Sequence, residues 1–318
     1  MDRYREVSRT EVKEGQEMPE TSVVLHFLRH EEKEASKPGQ PDKEVELTQK
    51  GRAKALATGK AKPAQTEVSW VGGSERIRSA HTALLRMAGG ASKNVPSSEM
   101  DFATAKATVE EGMKVGEKVR HLPELNFYSG GTPGFDSKFM GEYKAGRGLA
   151  FFLNESDELA RKNSDTQSLT YSRVAANYAS LIAREMDAGN NFQRVAAKYP
   201  EKYQTYHNRL ERYFGTHQTV NECFYMKALE KLHGREVVER FIESCKDKDG
   251  KANGFDFQEG FTIEIKNGPK GQTIMLEGVR GFPAMELTPQ LLESIITDAK
   301  DLDDAIAKNQ AAATVAAA

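Results

Sequence analysis

The stretch from Ser22 to Leu28, Ser-Val-Val-Leu-His-Phe-Leu, constrains the fold of this chain more than any other. From Val23 onward only His26 interrupts the apolar run. An unbroken apolar run, rather than an alternating one, describes a strand covered on both faces, as in a parallel sheet. It is far too short to span a bilayer. The run stops at Arg29-His30, and a polar loop with Pro38, Gly39 and Pro41 follows. In open parallel sheets, ligands bind beyond the carboxyl ends of the strands. A charged pair at this point is therefore a candidate site.

The rest of the chain repeats the pattern. Leu47-Thr48 opens a helix, with Thr48 as its N-cap. Glu67 to Val71 reads as a second strand, closed by Gly72-Gly73-Ser74, and Glu75 to Met87 as a helix stopped by Gly89-Gly90. Arg209 to Thr216 reads as a strand and Val220 to Leu232 as the helix after it. Phe261 to Ile265 and Thr273 to Leu276 flank a turn at Asn267-Gly-Pro-Lys-Gly271, a hairpin signal. Thr288 to Ile306 reads as an amphipathic helix. Strands alternating with helices predict an α/β fold, with a mostly parallel central sheet flanked by helices on both faces. A helical insertion, serving as a cap over the site, is expected at about 129–200, and the C-terminal part adds a β-hairpin plus a helix. The expected organisation is a mobile leader over 1–20, a single domain over 21–310 that includes the insertion, and an Ala-rich tail over 311–318.

Composition narrows the function. Lys plus Arg total 45 and Asp plus Glu total 47, a net charge of -2, which excludes a strongly basic nucleic-acid binder and a polyacidic tail. Two cysteines, Cys223 and Cys245, exclude a disulfide framework and a Cys-rich zinc site. The first twenty residues lack an apolar signal region. A soluble, cytoplasmic protein is expected, with no membrane partner. The stretch Lys246 to Asp256 superficially suggests a calcium loop but, with Asp247 as position one, fails its spacing, with Ala252 where glycine is needed and Gln258 where glutamate is needed. A homodimer through an edge strand or the added helices is an option with no direct sign in the sequence.

Three polar clusters fall at strand ends: Arg29-His30, Ser74 to Arg78, and Thr216-His217. Two arginines and two histidines converging there suit a phosphoryl dianion, because the guanidinium fork matches phosphate oxygens. Each cation–anion pair at ~4 Å is worth about 4 kcal/mol at an effective dielectric of ~20, before desolvation. Several are needed to hold a buried double charge.

Leu28-Arg29-His30, then Leu47-Thr-Gln-Lys-Gly-Arg-Ala53, then Ser74 through Arg78 to Thr82-Ala83, then Gly215-Thr216-His217 resemble, in that order, the motifs of the histidine phosphatase superfamily. The resemblance implies the phosphoglycerate mutase-like fold. It implies His30 as the nucleophile that becomes phosphorylated, with Arg29, Arg78 and a protonated His217 on the phosphoryl oxygens. The family pattern puts the second arginine four residues before Thr82, which selects Arg78 over Arg76. Leu122-Pro-Glu-Leu125 resembles the segment that supplies the general acid, so Glu124 is the candidate and Glu110 and Glu111 are runners-up. Gln218 stands where the acid-phosphatase branch has Asp. Glu31 replaces the usual glycine after the nucleophile; its carboxylate either points away from the pocket or alters it. The implied activity is that of a phosphomonoesterase on a phosphorylated small molecule, with no metal and no cofactor. A mutase-like phosphotransferase, or a degenerate member that binds a phosphorylated ligand or a protein, is the alternative.

Overall fold

The computed structural model describes residues 17–66, 69–91, 93–112, 119–127 and 132–317. The expected leader lies outside these residues as far as position 16, as do Glu67 and Val68 of the second strand and the start of the expected insertion. The opening apolar run is the middle of β1 (Thr21–Arg29), in which Val23, Leu25 and Phe27 have no exposed surface. The other strands are β2 (Ser69–Gly73), β3 (Val119–His121), β4 (Arg209–Thr216), β5 (Gly260–Gly268), β6 (Gly271–Leu276) and β7 (Met285–Glu286). They form a seven-stranded sheet in the order β3-β2-β4-β1-β5-β6-β7. β3, β2, β4 and β1 pair in parallel, and β5, β6 and β7 extend the sheet in antiparallel fashion from β1. The fold is thus α/β, with a parallel core and the expected hairpin joined to its edge. β3 and β7 are too short to leave a periodic signal in the sequence.

The helices are α1 (Gln49–Ala61), α2 (Ile77–Ala88), α3 (Phe102–Gly112), α4 (Pro133–Lys144), α5 (Gly148–Phe151), α6 (Asp157–Lys162), α7 (Tyr171–Lys198), α8 (Pro200–Gln204), α9 (Val220–His233), α10 (Arg235–Ser244) and α11 (Pro289–Ala317). Successive strand residues face opposite sides of a sheet, and two cores follow from that alternation. Val23, Leu25, Phe27, Leu210 and Phe214 pack with α7, α9 and α11 on one face. Val71 and Tyr213 pack with α2 on the other, where Leu47 and Ala55 also lie. The first core holds a group of touching rings, Phe27, Tyr178, Phe214, Phe224 and Phe261, with centroids 4.8–6.4 Å apart. No described helix is long and apolar enough to cross a membrane.

Register decides what meets at the carboxyl edge. Arg29 lies beside Thr216 in the β1–β4 pairing, and Gly73 beside Gly215 in the β2–β4 pairing. A Cβ on Gly215 would sit 1.8 Å from the Ser79 carbonyl oxygen, and one on Gly73 would sit 2.6 Å from Ala80. Only glycine lets the first turn of α2 press against these strand ends. α2 begins two residues later than the sequence predicts. Arg76 is extended, with its amide on the Ser74 hydroxyl and its carbonyl on the Ser79 hydroxyl.

Candidate active site

His30 leaves β1 with its amide bonded to the Thr216 carbonyl at 2.9 Å. Its ring Nδ1 lies 2.6 Å from the Glu31 carbonyl oxygen. A carbonyl can only accept, so Nδ1 carries the proton and Nε2 keeps its lone pair. Burial, reinforced by the cations of Arg78, Arg29 and Lys33, pushes the His30 pKa down to about 3. The ring is therefore neutral at physiological pH, with one bare nitrogen.

His217 faces it, the two ring centroids 5.1 Å apart and the planes at 70°. His217 Nε2 lies 2.7 Å from the Ser74 hydroxyl, which is 2.8 Å from the Ser79 hydroxyl. Ser79 gives its proton to the Arg76 carbonyl. The chain is held from behind: the Tyr178 hydroxyl reaches Thr216 Oγ1 at 3.2 Å and Asn221 Oδ1 at 2.9 Å. Thr219, the residue before α9, then takes a left-handed conformation, φ 69°, so that the helix starts at Val220, three residues after the histidine. This is a costly backbone for a β-branched residue, and such strain collects at functional sites. Burial first, then the charges of His30, Arg78, Arg76 and Arg29, hold the His217 pKa well below its ordinary value. The resemblance implies a protonated His217 on the phosphoryl oxygens; in the pocket without an anion, burial and the neighbouring cations act against that proton. An anion beside it would be needed to reverse that balance.

Arg29 stacks over the Phe257 ring at 4.3 Å and donates to the Phe255 carbonyl. Arg78 is 4% exposed and emerges from the first turn of α2. Its NH2 donates to Asp42 Oδ2 at 2.9 Å and its NH1 to the Asp42 carbonyl at 2.6 Å. Arg76, set aside on spacing, joins it: its Nε donates to the same Asp42 Oδ2 at 2.6 Å. Two arginines rather than one therefore come from the α2 entrance. The extended backbone of Arg76, just before α2, brings its side chain to the same carboxylate as that of Arg78. Burial lowers the pKa of Arg29 and of Arg78, with little consequence for groups so basic.

Glu31 is 1% exposed, and its carboxylate has its own partners: the Glu32 amide at 3.0 Å, Gln258 Nε2 at 2.7 Å and Lys54 Nζ at 3.4 Å. These hydrogen bonds and this ion pair go to none of the site's arginines or histidines, although the carboxylate is close enough to Arg29 to act on its charge. Its amide donates to Thr82 Oγ1 at 3.0 Å.

Glu124 sits in a 3-10 turn, Pro123–Leu125, that packs against the site. The Leu125 carbonyl accepts from Thr216 Oγ1 at 3.3 Å, and the Phe127 ring lies 5.4 Å from His217. Glu124 Oε1 itself pairs with Arg184 of α7, and Oε2 is buried without a partner. No described contact joins it to His30 or His217. Glu110 pairs with Lys106 on α3, and Glu111 is exposed. Ser74 belongs to the strand-end cluster read from the sequence, whereas Asp42, Phe127 and Phe257 were not singled out, since each reaches the site from a loop whose path no local pattern reveals. Among the described residues, no group of three or more His, Cys, Asp or Glu side chains is placed to hold a metal ion.

No family model matches the chain, and no curated protein matches it. Among solved structures it is similar to a protein described as an alpha-ribazole-5'-P phosphatase from Escherichia coli K-12, with 17% identity and a TM-score of 0.37, over 82% of this chain and 98% of that one. It is also similar to a mycobacterial glucosyl-3-phosphoglycerate phosphatase, with 14% identity and a TM-score of 0.38, over 84% of this chain and 97% of that one. A third likeness is to a protein of Nakamurella multipartitia described as the phosphohistidine phosphatase SixA, with 12% identity and a TM-score of 0.27, over 85% and 95%.

Proposed function

We propose that this chain is a phosphomonoesterase of the histidine phosphatase type, working through a phosphohistidine at His30 on a phosphorylated small molecule. The observation that carries the reading is the His30 ring, neutral, with Nδ1–H committed to a carbonyl and Nε2 unprotonated, beside His217 and under the charges of Arg78 and Arg29. The ordered motifs quoted above support the same reading.

His30 Nε2 attacks phosphorus in line, and the P–O bond to the leaving group breaks as the P–N bond forms. Splitting hydrolysis into two displacements makes each one easier. Arg29, Arg76 and Arg78 neutralise the equatorial oxygens, where most of the stabilisation in phosphoryl transfer arises. His217 gains a proton more readily once the anion is beside it, and then donates to a phosphoryl oxygen. Glu124 is the candidate acid for the leaving oxygen, through its unpartnered Oε2. It later takes a proton from the water that cleaves the phosphohistidine. The pocket residues supply the positive charge that this chemistry needs, so no metal or cofactor enters the scheme.

Hydrolysis of a generic aryl phosphate by the wild type and by His30→Ala tests the assignment. Loss of turnover in the variant is expected, and undiminished turnover rules out this nucleophile. Giving the phosphoryl group to a second acceptor instead of water would make the chain a mutase; product analysis with and without an acceptor alcohol distinguishes the two.

A further inference from the structure

We propose that Asp42 is an internal competitor for the anion site: its carboxylate occupies the guanidinium fork of Arg76 and Arg78, and an incoming dianion must displace it. The proposal rests on the reading of these arginines as a phosphoryl clamp. Asp42 Oδ2 receives one hydrogen bond from each arginine, at 2.6 and 2.9 Å, and Oδ1 lies 3.1 Å from Lys33 Nζ. One oxygen shared by two guanidinium groups is the arrangement expected of an arginine-bound oxyanion.

The two sides of this contact are built differently. The arginines are 8% and 4% exposed and are fixed at the start of α2, whereas the Asp42 side chain is 46% exposed. Asp42 opens a one-turn 3-10 helix, Asp42–Glu44, that contains no buried residue. From Glu34 to Glu44 no residue is buried. The loop is closed at its base by the Lys33–Leu47 bridge and by the Glu34 amide on the Glu46 carbonyl. The cations are thus permanent and the anion is detachable. The fit is also incomplete: Arg29 Nε, Arg76 NH1 and Arg78 Nε are buried donors without a partner. A planar carboxylate that spends one oxygen on Lys33 cannot serve them all, and a tetrahedral group with three free oxygens serves more of them.

Asp42 therefore makes the pocket selective by charge. A monoanion would only exchange one negative charge for another. A dianionic phosphomonoester, or orthophosphate, gains from the surplus positive charge. On product release the carboxylate returns to the arginines. The residue would act as a specificity determinant for phosphomonoesters over monoanionic diesters, and it makes no bond to the reacting atoms.

Calorimetric titration of the full chain with orthophosphate at pH 8 tests this in the wild type, Asp42→Asn and Asp42→Ala. Both variants should bind about tenfold tighter or more, as expected when a competing charge hydrogen-bonded to both arginines is removed. Their melting temperatures should be lower than the wild type's without phosphate and should rise more with it, which also verifies folding. Equal or weaker binding in folded variants overturns the proposal. Weaker binding would make Asp42 a brace that orders the arginines. Tighter binding without any hydrolysis would leave this inference standing and sink the phosphatase reading. Absence of phosphate binding in all three proteins would sink both.

Discussion

In the parallel half of the sheet, β1 and β4 run side by side and end at Arg29-His30 and Thr216-His217, while β2 ends one strand away at Gly73-Ser74. In the antiparallel half, β5 and β6 turn back through Gly268 and Gly271, and this half supplies no histidine or arginine to the pocket. What it supplies is a wall. The loop before β5 presents the Phe255 carbonyl to Arg29, the Phe257 ring beneath the same guanidinium, and Gln258 to the Glu31 carboxylate. The difference follows from direction: parallel neighbours release their carboxyl ends at the same edge, and antiparallel neighbours do not. The two histidines and Arg29, far apart in sequence, meet because parallel strands end together. The antiparallel half can brace and shape them.

If that division is right, substitutions in the parallel half should abolish chemistry and those in the wall should weaken binding. His30→Ala should have the largest effect, a loss of roughly 1,000-fold or more in kcat/KM on an aryl phosphate. Arg78→Ala should cost about 100-fold or more, as when a fixed donor to a developing anion is lost. Arg76→Ala should show a similar loss if both arginines hold the anion, and almost none if Arg78 works alone. Ser74→Ala removes the hydroxyl partner of His217 Nε2 and should cost on the order of 10-fold, mainly in kcat. Phe257→Ala, in the wall, should raise KM by a few-fold and leave kcat close to that of the wild type. An equal loss of kcat in Phe257→Ala and Ser74→Ala would break the comparison.

The same burial has a consequence for stability. His30 has an ordinary pKa of 6.5 when unfolded and is pushed down to about 3 when folded. Between these values the unfolded chain binds more protons, so stability falls as pH drops below 6.5. The change amounts to about 2 kcal/mol at most by pH 5. His217 is shifted in the same direction, also by burial. Thermal melts from pH 7 to pH 5 should show this decline, and it should be shallower in His30→Asn. A slope unchanged by the substitution would mean that His30 is not buried as a neutral ring.

Much of the fold was legible because it rests on local signals. The apolar run from Val23 to Leu28, broken only by His26, became the middle of β1, and Arg209 to Thr216 became β4 with the same bounds. Thr48 caps α1 by accepting from the Gly51 amide at 2.9 Å. The two histidines could be read because each directly follows a strand. Arg76 could not be ranked, since whether its side chain reaches the pocket depends on where α2 starts. That start is set by the Ser74 and Ser79 hydroxyls, a tertiary arrangement. Asp42 was invisible for a related reason. It lies 36 residues from Arg78 in a loop with no regular pattern, and only the folded chain puts the two together.

The most direct measurement is the covalent state of His30 during turnover. The chain should be mixed with an aryl phosphate, quenched in base within milliseconds and analysed by intact and peptide mass spectrometry. A single added phosphoryl group on the peptide carrying His30, labile in acid and missing in His30→Asn, is the expected result. Steady hydrolysis with no adduct at His30, or an adduct on another residue, would contradict the account.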